Sequence, residues 1–205
     1  MLISELLKKI HREYAKDTSY PEGSDNEEML VRLDYVDDAI DEYESCVDEG
    51  YCWDELKTKL TFIFGGTGTD ELPETFLSFI KKFGQKGFEK AQFLIGNVTY
   101  SEIDASEGVE LEQQGQTSGN VFWQEGDNIR TLPAIAGTYI LPCLEKHPRY
   151  VTGEELTPIK MKKPKFIQYF VVAKLFLDDE DESLYEANML AANEELKKMR
   201  YKQLA

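Results

Sequence analysis

Apolar positions recur at two different periods along the chain and divide it into three stretches. Leu2, Leu6, Ile10 and Tyr14 stand four apart, which predicts a helix over residues 2–16. Pro21 and Gly23 then break the chain, and Ser24 or Asp25 offers an N-cap. Met29, Leu33, Val36, Ile40, Tyr43 and Val47 are spaced 4, 3, 4, 3, 4, so residues 26–49 predict a second helix with one apolar seam.

From residue 57 the period changes to two. Leu60, Phe62 and Phe64 alternate with Lys59, Thr61 and Ile63, predicting a strand over 57–64. Gly65-Gly66-Thr67-Gly68 forces a turn, and Pro73 to Ile80 can hold one helical turn. Between Phe93 and Leu144, Gly96, Gly108, Gly115, Gly119, Gly126 and Gly137 punctuate short strand-like runs, which suits a small antiparallel sheet or sandwich. The helical period returns at Phe166–Leu177, apolar almost all round, with Pro164 placed for the first helical position. A last helix over 182–202 carries Met189, Ala192, Leu196 and Met199, with acids at its start and bases at its end. The expected fold class is α+β: a helical bundle from both chain ends (residues 1–56 and 151–205) with a small antiparallel β insertion (residues 57–150) between them.

Charge narrows the function. The 205 residues include 39 acidic and 23 basic side chains, a net charge of −16. That balance argues against wrapping nucleic acid or docking on anionic lipid, both of which need clustered Lys and Arg. Three cysteines are too few for a disulfide framework and fit a reducing cytosol. Glu5, Lys8 and Lys9 interrupt any signal-peptide core, and the apolar run 166–177 is shorter than the ~18 residues of a membrane span.

The acid is concentrated. Residues 25–49 hold eleven acids and one base, Arg32. Asp34 with Asp38, Asp37 with Asp41, Asp38 with Glu42 and Glu44 with Asp48 stand four apart, and each such pair costs a helix about 0.2–0.5 kcal/mol. Asp34, Asp37, Asp38, Asp41, Glu42 and Glu44 therefore form a candidate face, either solvated for its own sake, repelling a polyanion, or meeting a basic partner. Lys160, Lys162, Lys163 and Lys165 of a neighbouring copy are basic candidates for a heterologous contact.

Catalytic signatures are lacking. His11 and His147 each neighbour a base, Arg12 and Lys146, and read as surface residues. Cys46 and Cys52 lack metal-ligand spacing and read as a packed and a loop thiol. The run Gly65–Asp70 has no P-loop Lys, and the acids of Asp178–Glu182 match helix-start acids better than a calcium loop. No catalytic, cofactor-binding or metal residue is assigned and an enzyme is not expected; a metal-dependent hydrolase built on Asp37 and Asp41 is a distant third reading.

Several short motifs come in a telling order. Leu33–Tyr43 is followed by Trp53, an alternating strand, and Glu71-Leu72-Pro73-Glu74-Thr75-Phe76. Then come Leu132-Pro133, Gly137–Leu141, His147-Pro148-Arg149-Tyr150-Val151-Thr152, and a terminal helix pair marked by Phe166–Phe176, Asp181, Tyr185 and Met199. This series, over about residues 29–200, resembles the head–tail adaptor (connector) proteins of tailed bacteriophages, including the tail tubular adaptors of short-tailed phages. The resemblance implies a virion protein, made in the host cytoplasm, forming a ring of twelve copies between the portal protein and a tail or nozzle protein. DNA would pass through the ring without specific binding, along the acidic face, and no membrane or cofactor is involved. Portal contact in such a protein is expected from a helical or terminal segment, for which Lys197, Arg200, Tyr201 and Leu204 are the candidates. The competing reading is an acidic DNA mimic or regulatory protein that binds a basic host partner.

Overall fold

The structure is a computed structural model and describes residues 1–17, 27–47, 49, 51, 53–81, 83–84, 87–88, 90–149 and 158–203. The proposed N-cap at Ser24 or Asp25, Cys52, Asp48 and Leu204 lie outside the described residues. The chain divides into two compact units, one built from Met1–Tyr51 and His147–Ala205 and the other from Cys52–Lys146.

The first unit is helical. Helix α1 (Ile3–Ala15) buries Ile3, Leu6, Leu7 and Ile10; its start is closed by Glu5, whose Oε2 accepts the Leu2 N–H at 3.1 Å. Helix α2 (Glu27–Ser45) buries the seam Met29, Leu33, Val36, Ile40 and Tyr43. Two more helices follow late in the sequence, Lys165–Asp178 and Glu182–Gln203. The shorter one is sheathed on several sides, with Phe166, Ile167, Phe170, Val171, Val172, Ala173 and Leu175 buried, because α1, α2 and the last helix all pack on it. Pro164 stands one residue earlier than the sequence implied, at the N-cap, where its φ of −65° still serves the helix. Asp181 caps the last helix, its Oδ1 accepting the Leu184 N–H at 3.1 Å.

The second unit corrects the expected fold class. The helices do lie at both chain ends, but the β region is not a small antiparallel insertion. It forms a compact unit with a three-stranded sheet, a five-stranded sheet and a two-stranded ladder. The strands are β1 (Lys57–Gly65), β2 (Thr69–Glu71), β3 (Phe76–Phe79), β4 (Phe83–Gly84), β5 (Gly87–Phe88), β6 (Gln92–Ile95), β7 (Val98–Glu102), β8 (Val121–Glu125), β9 (Asn128–Leu132) and β10 (Ala136–Glu145). The first sheet runs β1-β10-β3, the second β2-β9-β8-β7-β6, and β4 pairs with β5.

Nor is it all antiparallel: β7 and β8 pair parallel, Ser101 opposite Val121 and Glu102 opposite Phe122. A parallel pair needs a crossover, and helix α3 (Ala105–Gln113) supplies it, in a stretch whose glycines suggested strands. The two late helices are accordingly α4 (Lys165–Asp178) and α5 (Glu182–Gln203). Pro73–Ile80 also differs from expectation. Phe76 and Phe79 stand three apart like a helical pair, yet they belong to β3, where a register shift opposite Leu144/Glu145 accompanies burial of both rings.

Aromatic side chains fill the core of this unit. Phe62 and Phe64 of β1, Phe76 and Phe79 of β3, Phe93 of β6, Tyr100 of β7 and Phe122 of β8 are all buried. Phe93 and Phe122 have centroids 4.5 Å apart, and Phe79 meets Phe122 edge-on at 4.8 Å. Such ring pairs add directional packing to the area they bury.

Candidate functional site

The acidic helix α2 is the feature that the sequence marks, and its acids do not share one fate. At about 100° per residue, Asp34, Asp38, Asp41 and Glu42 fall within one arc, and all four are exposed. Asp37 is half-buried at the edge of that arc, and Glu44 turns inward, with 8% of its surface exposed. A carboxylate buried to that degree must be matched by donors. Both Glu44 oxygens are. Oε1 accepts the His147 backbone N–H at 2.5 Å, and Oε2 accepts Arg149 Nη2 at 2.7 Å.

Arg149 ties three turns of α2 together. Nη2 also donates to Asp41 Oδ1 at 2.5 Å, and Nη1 donates to the Asp37 carbonyl at 3.2 Å. One guanidinium thus relieves part of the like-charge strain that the sequence exposes. The remaining row is Asp34, Asp38 and Glu42, for which no cation among the described residues lies within salt-bridge range.

His147 extends the network and overturns the expectation of a surface histidine. It is 1% exposed. Its Nε2 accepts the backbone N–H groups of Lys160 at 3.0 Å and Met161 at 3.4 Å. Its Nδ1 lies 2.9 Å from the Pro148 carbonyl, so the proton sits on Nδ1 and is donated there. The ring locks the segment that leads to α4. His11 is buried too: its Nδ1 faces Arg32 Nη1 at 3.1 Å, and Arg32, itself 2% exposed, reaches Glu28 at 3.2 Å. These histidines hold backbone and side chains in place; a flanking base in the sequence says nothing of that.

The basic candidates divide in the same way. Lys163 Nζ lies 3.8 Å from Glu195 of α5, and Lys198 lies 2.8 Å from the same residue. The Lys198 hydrogen bond, with the charges of Lys198, Lys163 and Lys165 behind it, holds the Glu195 carboxyl below the usual range despite some desolvation. Lys162 and Lys165 are exposed, and Lys160 is half-buried, its backbone spent on His147.

At the end of α5, Lys197 is exposed, whereas Arg200 is engaged within the chain. Arg200 lies 3.2 Å from Glu49, donates to Cys46 Sγ at 3.0 Å, and stands over the Tyr51 ring with its Cζ 5.2 Å from the centroid. It fastens α5 to the chain just after α2 and is not a free anchor. Tyr201 is on α5, and Leu204 is outside the described residues.

The other end of the helical unit is held by two phenols. Tyr14 donates to Asp179 Oδ2 at 2.7 Å, and Tyr35 donates to both Asp178 oxygens at 2.9 and 2.8 Å. Desolvation, then the hydrogen bond to an anion, pushes each phenol up to about 12. The acidic run Asp178–Glu182 therefore serves as tyrosine acceptors and a helix cap.

Burial pushes the Cys143 thiol up to about 11 and raises Cys46 as well, which leaves neither as a ready nucleophile. Among the described residues no group of three His, Cys, Asp or Glu side chains is placed to hold a metal ion. No helix among them is long and apolar enough to cross a membrane. What the geometry offers is a charged surface over a cross-braced bundle. A scan against protein-family models finds no match, and a search of curated proteins finds none either.

Proposed function

We propose that the chain is a structural ring component of the head–tail junction of a tailed bacteriophage, set between portal and tail, with the exposed row Asp34, Asp38 and Glu42 turned toward the DNA channel. That row carries the reading. It sits on the back of a helix whose opposite side is core, and Arg149 relieves only its neighbours. Each like-charged pair works against the helix by a few tenths of a kcal/mol, about 0.2–0.5. An anionic wall repels phosphate and keeps a passing genome from adhering, where a basic wall would bind it. The net charge of −16 per chain multiplies that field in a ring. The ordered motifs from Leu33 to Met199 support the same assignment, and Lys197 is an exposed member of the portal-contact set.

The test is particle assembly with the triple variant Asp34→Asn, Asp38→Asn, Glu42→Gln. The variant is expected at the portal vertex in normal amount, with slower DNA ejection at low salt. An image of the mature vertex without density for this chain overturns the reading. Tight binding of the purified chain to a basic host enzyme, with none to portal particles, favours the acidic-mimic alternative.

A further inference from the structure

The solvent side of α5 is wrongly composed for a helix that ends in water. Its buried side carries Ala192, Leu196 and Met199. The opposite side should be charged. In its first half, beside the exposed acids Glu182 and Glu186, runs a stripe that is not: Ser183, Leu184, Ala187 and Leu190 are exposed, and Leu190 keeps 64% of its surface in solvent. At about 100° per residue, Leu184, Ala187 and Leu190 span an arc of about 120° with Ala187 at its middle. Ala191 falls inside the same arc. A small residue flanked at equal distance by two leucines is a self-complementary pattern.

We infer that this stripe is where a second copy of the chain docks, α5 against α5 in antiparallel orientation across a two-fold axis at Ala187. In that register Leu184 of each copy meets Leu190 of the other, and the two Ala187 positions allow close approach of the backbones. The charges further along also match. Lys197 and Lys198, on the same side of α5, come alongside the acidic turn of the second copy, which holds Asp178, Asp179, Glu180 and Glu182. Glu194 is set against like charge, and the two Glu186 positions flank the axis on the same side. A two-fold contact is isologous and closes at two copies. It is a state of the free chain and goes beyond the ring reading without resting on it.

The experiment is sedimentation of the purified full-length chain without portal or tail protein. The wild type is expected to show a monomer–dimer equilibrium. Leu190→Glu and Ala187→Glu should each raise the Kd at least tenfold, Lys197→Glu should weaken association, and Glu194→Gln should strengthen it. Since these side chains face solvent, circular dichroism should show the variants folded. The two-fold axis makes a sharper demand: on a Cys52→Ser background, Ala187→Cys should form an intermolecular disulfide with itself under mild oxidation, while Asn193→Cys should not. A wild-type chain that stays monomeric at about 1 mM, a dimer indifferent to Leu190→Glu, or equal cross-linking at 187 and 193 overturns the inference. None of these outcomes bears on whether the chain stands at the portal vertex, so the two proposals fail separately.

Discussion

Arg149 Nη2 lies 2.7 Å from Glu44 Oε2, joining a residue at the return from the β unit to the last turns of α2 across more than a hundred positions of sequence. Glu44 has almost no access to water, and Arg149 is a cation that helps make its burial tolerable. Arg149→Ala should cost about 2–4 kcal/mol, somewhat under the range for a fully buried pair because Arg149 is one-third exposed. Glu44→Gln in the same background should recover part of that loss, since it removes the stranded charge and keeps an acceptor for the His147 N–H. Urea denaturation of the two single variants and the double variant measures the coupling.

His147 is predicted to be a neutral imidazole with its proton on Nδ1, because Nε2 accepts from two backbone N–H groups. Nitrogen chemical shifts of the labelled ring distinguish the tautomers directly. His147→Phe keeps the bulk but strands both donors, at about 1–3 kcal/mol for each unsatisfied group. A variant as stable as wild type would show that water replaces the ring.

Gly108 packs α3 against Trp123. A Cβ at this position would stand 2.4 Å from Trp123 Cδ2, well inside contact distance. Alanine favours a helix over glycine by about 1 kcal/mol, so a free α3 would gain from Gly108→Ala. Here the helix is pinned by Arg130 to Glu112 at 3.2 Å and by Lys90 to Glu107 at 3.6 Å, so it must yield or the indole must. The expected result is a net loss of about 1–3 kcal/mol with a shift in tryptophan emission.

The tyrosine braces predict an alkaline transition. Tyr14 and Tyr35 have folded pKa values raised from 10 to about 12, so the folded state favours the neutral phenol. Their contribution is fully present below pH 10 and is lost as pH rises through the interval to 12. Stability should fall over that window. Tyr14→Phe and Tyr35→Phe should each flatten the fall, and ultraviolet titration of the wild type should show a group of late phenols, which includes buried Tyr100, from which one is lost in each variant.

Local periodicity was enough to place α1, α2, β1 and α5 to within a few residues, because each presents an apolar face at a regular spacing, and α4 was placed as closely by its apolar density. Phe166–Leu177 read as a helix buried on several sides because it has no polar side to turn to water. Charge density likewise marked α2 as unusual. What spacing could not carry were relations between distant residues. The parallel β7–β8 pair exists only because α3 crosses between them, and a glycine inside that helix looks in sequence like a strand break until Trp123 is seen against it. The sorting of the acids was equally hidden. Asp38 and Glu44 are the same kind of residue in the same helix, and only the return of Arg149 and His147 to α2 decides that one faces water and the other is buried. The order of residues fixes which faces are apolar. Partners from far along the chain decide which charges can be withdrawn from water, because a carboxylate is buried only where a donor has been brought to meet it.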